Sequence, residues 1–136
     1  MARMPPSDVR IVSPAGAIKP TGPWNVAARA GDFLYVAGMR GIDPATDRLV
    51  EGDTARIRQA FVNMAHIATS EGAALADCVR LVVYVVDMAR LRPLVNQIQE
   101  TLWRPGSHPP RTIVEVTRLN QDDIVEVEGT FYVPQR

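Results

Sequence analysis

From residue 78 to residue 86 the chain reads CVRLVVYVV, a valine-rich and almost uninterrupted apolar run. β-branched side chains favour extended backbone, and a run without polar alternation suits a strand covered on both faces. The segment therefore predicts a central strand, which needs layers to cover it. Helical patterns lie on either side. From Asp53, a suitable N-cap, apolar residues fall at Ile57, Ala60, Phe61, Met64, Ile67 and Ala68, one face of a helix that Gly72 can end. After Asp87 a second stripe runs through Leu91, Leu94, Val95, Ile98 and Leu102, but Pro93 predicts that the regular helix begins near it and is shorter than the stripe.

The remaining strands follow from alternation and turn signals. DVRIVS, residues 8–13, predicts a short strand before the loop PAGAIKPTGP. Trp24 to Ala30 and Phe33 to Ala37 predict two strands joined at Gly31-Asp32, a pair suited to a tight hairpin turn. MRGIDPATDRLVEGD has turn residues and little periodicity, so it reads mostly as loop. Arg111 to Val116 and Ile124 to Val133 predict the last strands, with the polar LNQDD between them. Strands, helix, strand, helix, strands is the order of an α/β sandwich with helices on one face of a mixed sheet.

The length of 136 residues suits a single domain spanning 1–136. Fifteen basic residues balance fifteen acidic ones, which leaves no electrostatic footprint for nucleic acid or an anionic membrane. The lone Cys78 excludes an internal disulfide and argues against a thiolate zinc site; a reducing, cytoplasmic setting is the expectation. No apolar run suits a signal peptide or a membrane span, so a soluble protein is expected. His66 and His108 stand far apart and in no metal-ligand spacing, so no metal is expected. His66, beside the first helical stripe, reads as structural rather than catalytic.

Two places carry chemistry. In SHPPRTIVEV, residues 107–116, Pro109 and Pro110 restrict the backbone just ahead of Arg111. A guanidinium presented so stiffly suits bidentate capture of a carboxylate or phosphate; the alternative is a surface or interface salt bridge. On the last strand Glu126 and Glu128 share a face, because side chains repeat every second residue. They line either a solvent-facing sheet or, through one of them, a cleft near Arg111.

Several segments together resemble the Rid family, the reactive intermediate deaminases also called the YjgF or endoribonuclease L-PSP family. They are AIKPTGPW, GDFLYVAGM, DPATDRLVEGD, the helix with Asn63, VRLVVYVVDM, PPRTIVEV and VEVEGTFYV, in family order over nearly the whole chain. The resemblance implies a chorismate-mutase-like α/β sandwich, with a six-stranded mixed sheet and two helices on one face. It also implies a homotrimer with clefts between subunits. The implied activity is cofactor-independent hydrolysis of enamine or imine carboxylic acids, such as 2-aminoacrylate, to a keto acid and ammonia. Arg111 matches the family arginine that grips the substrate carboxylate, Glu126 the acid that positions or activates water, and Asn96 an asparagine near the cleft. Glu128 is read as structural. The site needs only to hold the acid and deliver one water, because an imine carbon is already electrophilic.

The departures are informative. The family tyrosine after GP is Trp24, its SGQ stretch is Ala37-Gly38-Met39, and the frequent cysteine two residues beyond the arginine is Ile113. Trp24 keeps an aromatic wall and an indole donor, while Ala37 and Met39 lose side-chain hydrogen bonds. Backbone N–H groups at Gly38 and Ile113 remain available to a carboxylate. The second helix has one extra residue before its asparagine, so either Asn96 or Val95 faces the cleft. These changes predict a more apolar pocket and a bulkier substrate, such as an unsaturated amino acid from aromatic breakdown. The competing reading is a non-catalytic small-carboxylate-binding protein using the same cleft. A ribonuclease is disfavoured by the neutral charge and the lack of a histidine pair.

Overall fold

The computed structural model describes residues 9–134. Its elements in chain order are β1 (Val9–Val12), β2 (Ala27–Ala30), β3 (Phe33–Arg40), β4 (Ile42–Asp43), β5 (Arg48–Leu49), α1 (Asp53–Ser70), β6 (Cys78–Val85), α2 (Met88–Leu102), β7 (Arg111–Glu115) and β8 (Val125–Tyr132). Six strands form one sheet in the order β1-β2-β3-β8-β6-β7, in which only β6 and β7 run parallel. The parallel pair requires a crossover, and α2 supplies it. This is the mixed sheet with two helices that the sequence predicts.

Alternation decides which side each strand residue serves. Along β8, Val125, Val127 and Phe131 are fully buried, while Glu126, Glu128 and Thr130 point the other way. Leu34 and Val36 of β3 and Leu81, Val83 and Val85 of β6 share the buried side. Phe61, Met64 and Ile67 of α1 and Leu91, Val95 and Ile98 of α2 close the core over it. Both helical stripes are therefore core faces.

Several local expectations are corrected. The first hairpin turns at Gly31-Asp32, with Gly31 at φ 57, but β2 begins at Ala27 instead of Trp24. The β3–β8 ladder is interrupted by a bulge between Val36 and Met39, just beyond the last β2–β3 pair, Ala27 with Val36, and Ala37 N–H reaches Val26 O at 2.8 Å. β3 also runs on to Arg40, and the segment read as loop holds the small β4–β5 hairpin. Gly52, at φ 91, precedes α1 as its cap, and Asp53 is the first helical residue; the left-handed backbone there suits glycine. Gly72 (φ 85) follows the helix end as expected.

Helix α2 begins at Met88 and not near Pro93. Asp87 caps it by accepting from Arg90 N at 3.2 Å, and Leu91 N reaches Asp87 O at 2.9 Å. Pro93 and Ala89 are both exposed, so the carbonyl that loses its partner to the proline ring faces water. The expected double coverage of β6 is half met within one chain. Val79, 42% exposed, Val82 and Tyr84 lie on the side no helix covers. Of the strand expected over residues 8–13, residue 8 lies outside the described residues.

Candidate functional site

Sheet register separates the two residues expected to share chemistry. Arg111 pairs with the buried Leu81 across the parallel β6–β7 ladder, so its side chain leaves the sheet on the helix side. Glu126 pairs with Arg40 and Tyr84 and leaves on the open side, between core residues Val125 and Val127. Within one chain they occupy two clefts.

The first cleft, of about 280 Å³, is lined among others by Lys19, Trp24, Ala37, Gly38, Arg40 and Glu126. Gly38 belongs to the β3 bulge, and its missing side chain makes room for the acid: a Cβ there would lie 2.4 Å from Glu126 Oε2. Arg40, 6% exposed, places its Nε 3.9 Å from Glu126 Oε1. The same guanidinium donates to Asn120 O and to Gln121 Oε1, each at 2.9 Å, and contacts Asp123 Oδ2 at 3.4 Å. It thereby holds a turn in which Gln121 (φ 56) and Asp122 (φ 55) take left-handed backbone, unusual for residues with side chains. Buried Asn63 ties the end of β3 to α1 by donating to Arg40 O at 3.0 Å and Ile42 O at 2.7 Å.

Burial raises the Glu126 carboxyl above its ordinary value; Arg40 opposes this, while Glu128 and Asp123 add to it. Such a carboxyl is a stronger base than a solvated one and can hold a water and take its proton. Glu128, two residues on, accepts instead from the Tyr84 hydroxyl.

The second cleft, of about 300 Å³, is lined by Asn96, Gln99, Glu100, His108, Pro109 and Arg111. Pro109 is buried, and Leu81 N–H bonds Pro110 O at 2.9 Å, which fixes the backbone where Arg111 enters β7. Arg111 Nη1 donates to Asn96 Oδ1 at 2.7 Å and to Gln99 Oε1 at 2.6 Å. Burial lowers its pKa, helped by Arg92. Among the described residues no carboxylate forms an ion pair with it. A half-buried cation oriented by neutral amides retains its charge for an external anion.

Trp24, Ala37, Gly38 and Glu126 thus gather in one cleft, and Asn96 joins Arg111 in the other. Val95 is fully buried in the core, so Asn96 is the residue that faces Arg111. Ile113 lines neither cleft; opposite Val83, it packs partly buried against the core. Arg40 and Gln99 were not singled out from sequence. Gln99 had a signal, because it follows Asn96 by three residues on the same helical face; Arg40 had none, because its place depends on the bulge. His66 makes a structural contact, with Nε2 2.9 Å from Ala15 O. Among the described residues no group of His, Cys, Asp and Glu could hold a metal, and no helix is long and apolar enough to cross a membrane.

A six-stranded mixed sheet backed by two helices, with a charged cleft on each side, defines a small α/β sandwich of the YjgF type. Residues 15–133 match the family described as endoribonuclease L-PSP, and the chain belongs to that family, the Rid/YjgF proteins. A solved structure from Rhodopseudomonas palustris, described as a probable translation initiation inhibitor, is 47% identical, with 93% of this chain and 99% of that one covered and a TM-score of 0.90. A RutC family protein of Pyrococcus horikoshii is 35% identical over 123 residues, 90% of this chain and 96% of the relative. A 2-iminobutanoate/2-iminopropanoate deaminase of Dermatophagoides farinae is 28% identical over 128 residues, 93% of this chain and 98% of the relative.

Proposed function

We propose that the chain is a cofactor-independent deaminase of enamine and imine carboxylic acids, acting in the cytoplasm as a homotrimer with clefts between subunits. The observation that carries this reading is Arg111: a half-buried guanidinium, oriented by two neutral amide oxygens and without a carboxylate partner among the described residues. An α-carboxylate supplies the missing charge and matches the fork. The relatives named as imine deaminases support the reaction class.

The placement of the clefts bears on assembly. Arg111 and Glu126 leave opposite sides of one sheet, so a site using both takes Arg111 from one subunit and Glu126 from a neighbour. The open side, with Tyr35 at 49% and Val79 at 42% exposed, offers apolar surface for such an interface.

In the reaction, an enamine first tautomerises to the imine by protonation at carbon. Arg111 holds the carboxylate, and Glu126 takes a proton from the water whose oxygen bonds to the imine carbon. The C=N pair collects on nitrogen, which takes that proton from Glu126, and Glu126 then carries the carbinolamine hydroxyl proton to the same nitrogen. Collapse of the resulting carbinolamine breaks the C–N bond, releases ammonia and leaves the keto acid. Ile18, Trp24, Ala37 and Ile42 line the Glu126 cleft, which favours a bulkier apolar side chain on the substrate.

The test is ammonia release from imines made in place, with 2-aminoacrylate compared against the imines of leucine and phenylalanine. Turnover that Arg111→Ala and Glu126→Gln each abolish supports the reading, and equal release by either variant and the native chain overturns it. Mixing the two inactive variants checks the shared site: random assortment restores about a quarter of the sites if each draws on two subunits, and no recovery refutes that arrangement. Binding of a keto acid without any turnover would favour a non-catalytic carboxylate-binding protein.

A further inference from the structure

We infer that Gln99 is a positioning residue of the carboxylate clamp: with Asn96 it occupies both hydrogens of Arg111 Nη1, leaving the Nε–Nη2 edge as the one offered to an incoming carboxylate. The inference rests on the deaminase reading above and assigns a role to a residue that reading does not require.

Nη1 carries two N–H groups, and it has two acceptors, Asn96 Oδ1 at 2.7 Å and Gln99 Oε1 at 2.6 Å. A guanidinium is planar and delocalised, so fixing one nitrogen fixes the plane of the whole fork. The end-on edge shares Nη1 and is already engaged. The side-on edge, Nε with Nη2, meets no acceptor among the described residues and presents two parallel donors to one carboxylate.

Gln99 is suited to this task by burial and by neutrality. At 4% exposed it has little room to swing away, and its amide must turn the oxygen towards Arg111, because the NH₂ end would set donors against donors. Asn96 and Gln99 sit three residues apart on one face of α2, so one rigid element delivers both oxygens. An acid at position 99 would orient the guanidinium equally well but would consume its charge. An amide orients the cation and leaves its charge for the ligand.

Two variants of the full chain test this, read by steady-state turnover of the leucine imine made by an amino-acid oxidase and by calorimetric binding of 4-methyl-2-oxopentanoate, the matching keto acid. The binding measurement reads the clamp even where turnover is low. Gln99→Leu frees Nη1 and is expected to raise KM and Kd about tenfold, with kcat nearly unchanged. Gln99→Glu, almost the same size, is expected to keep the native melting temperature and raise KM and Kd on the order of a hundredfold through an internal ion pair. A merely structural role would lower melting temperature and kcat together in Gln99→Leu and leave Gln99→Glu close to native.

Native-like KM and Kd in Gln99→Glu overturns the inference, and this variant carries the test should Gln99→Leu fail to fold. The outcomes separate the two claims. Loss of turnover and binding in Arg111→Ala together with a native-like Gln99→Glu removes only the role of Gln99; undiminished turnover and binding in Arg111→Ala removes the clamp and this inference with it, and release by the native chain no faster than spontaneous hydrolysis removes the deaminase reading.

Discussion

A Cβ on Gly38 would stand 2.4 Å from Oε2 of Glu126, so the acid lies in space that exists only because residue 38 has no side chain. The obstructed atoms belong to the free end of a flexible side chain and not to backbone. Gly38→Ala is therefore expected to push the carboxylate aside with the fold intact. Turnover should fall about a hundredfold, while the melting temperature stays close to native. A fully active Gly38→Ala protein would show that the position of this carboxylate is irrelevant to catalysis.

Glu126 also sets a pH dependence whose sign follows from its surroundings. Burial raises its pKa, so the folded chain binds that proton more tightly than the unfolded one. Its favourable contribution to stability is then complete below the ordinary carboxylate range and is lost as pH rises through the raised value. Two outcomes follow for a base that works ionised. The acid limb of the kcat profile should lie above the ordinary glutamate range, and Glu126→Gln should melt higher than native at neutral pH while losing activity. Arg40→Met should move the limb higher still, because Arg40 is the cation that opposes the shift.

Arg40 has a structural cost attached as well. It contacts Asp123, which is 1% exposed, and two acceptors in the 120–123 turn. Arg56, 3.8 Å from Asp123, remains as a partial counter-ion after its removal. Arg40→Met is expected to destabilise by about 3 kcal/mol, the lower end for breaking one side of a buried pair, measured by urea denaturation. A loss below about 0.5 kcal/mol would mean that this network does not hold the turn.

Tyr84 and Glu128 give a further readout, beside the Glu126 cleft but not in its lining. The hydrogen bond to Glu128, with burial and the nearby negative charges, pushes the Tyr84 phenol up to about 12. The stability this pair provides is present below the ordinary tyrosine value and lost as pH rises through about 12. Ultraviolet titration of the tyrosines should show one late group that returns towards its ordinary value in Glu128→Gln. Turnover of that variant at neutral pH should stay within about twofold of native.

Asn63 tests how the site is attached to the helix layer. It is 4% exposed, donates to Arg40 O and Ile42 O, and accepts from Gln59 Nε2 at 2.8 Å. Asn63→Ala strands two carbonyls and should cost about 2 kcal/mol in urea denaturation, with an unchanged denaturant slope.

Much of this protein could be read from its sequence, and the readable part is local. Period-3.6 stripes marked α1 and α2, alternation and valine content marked the long strands, and Gly31-Asp32 marked the first hairpin. The order of segments from AIKPTGPW to VEVEGTFYV carried the family, and Pro109-Pro110 marked the entrance of Arg111. Where reading failed, a neighbour in space had overridden a local rule. Pro93 did not begin the helix, because Asp87 caps it and the proline stands at an exposed position; Trp24 did not join a strand, because the β2–β3 ladder ends at the Ala27–Val36 pair, where the bulge of β3 begins.

Sequence alone determined the elements, the residue types available for chemistry and the spacing of Glu126 from Glu128, because periodicity belongs to a single strand or helix. It could not determine which side of the sheet Arg111 and Glu126 would serve. Alternation says only that neighbours point opposite ways; pairing chooses the direction, and the parallel register with Leu81 turns Arg111 towards α2 while the antiparallel register with Tyr84 turns Glu126 away from it. The partners of those two groups, Gln99 for one and Gly38 with Arg40 for the other, likewise meet them only once helix and strands are packed, since contact across elements depends on relative placement that no local pattern encodes.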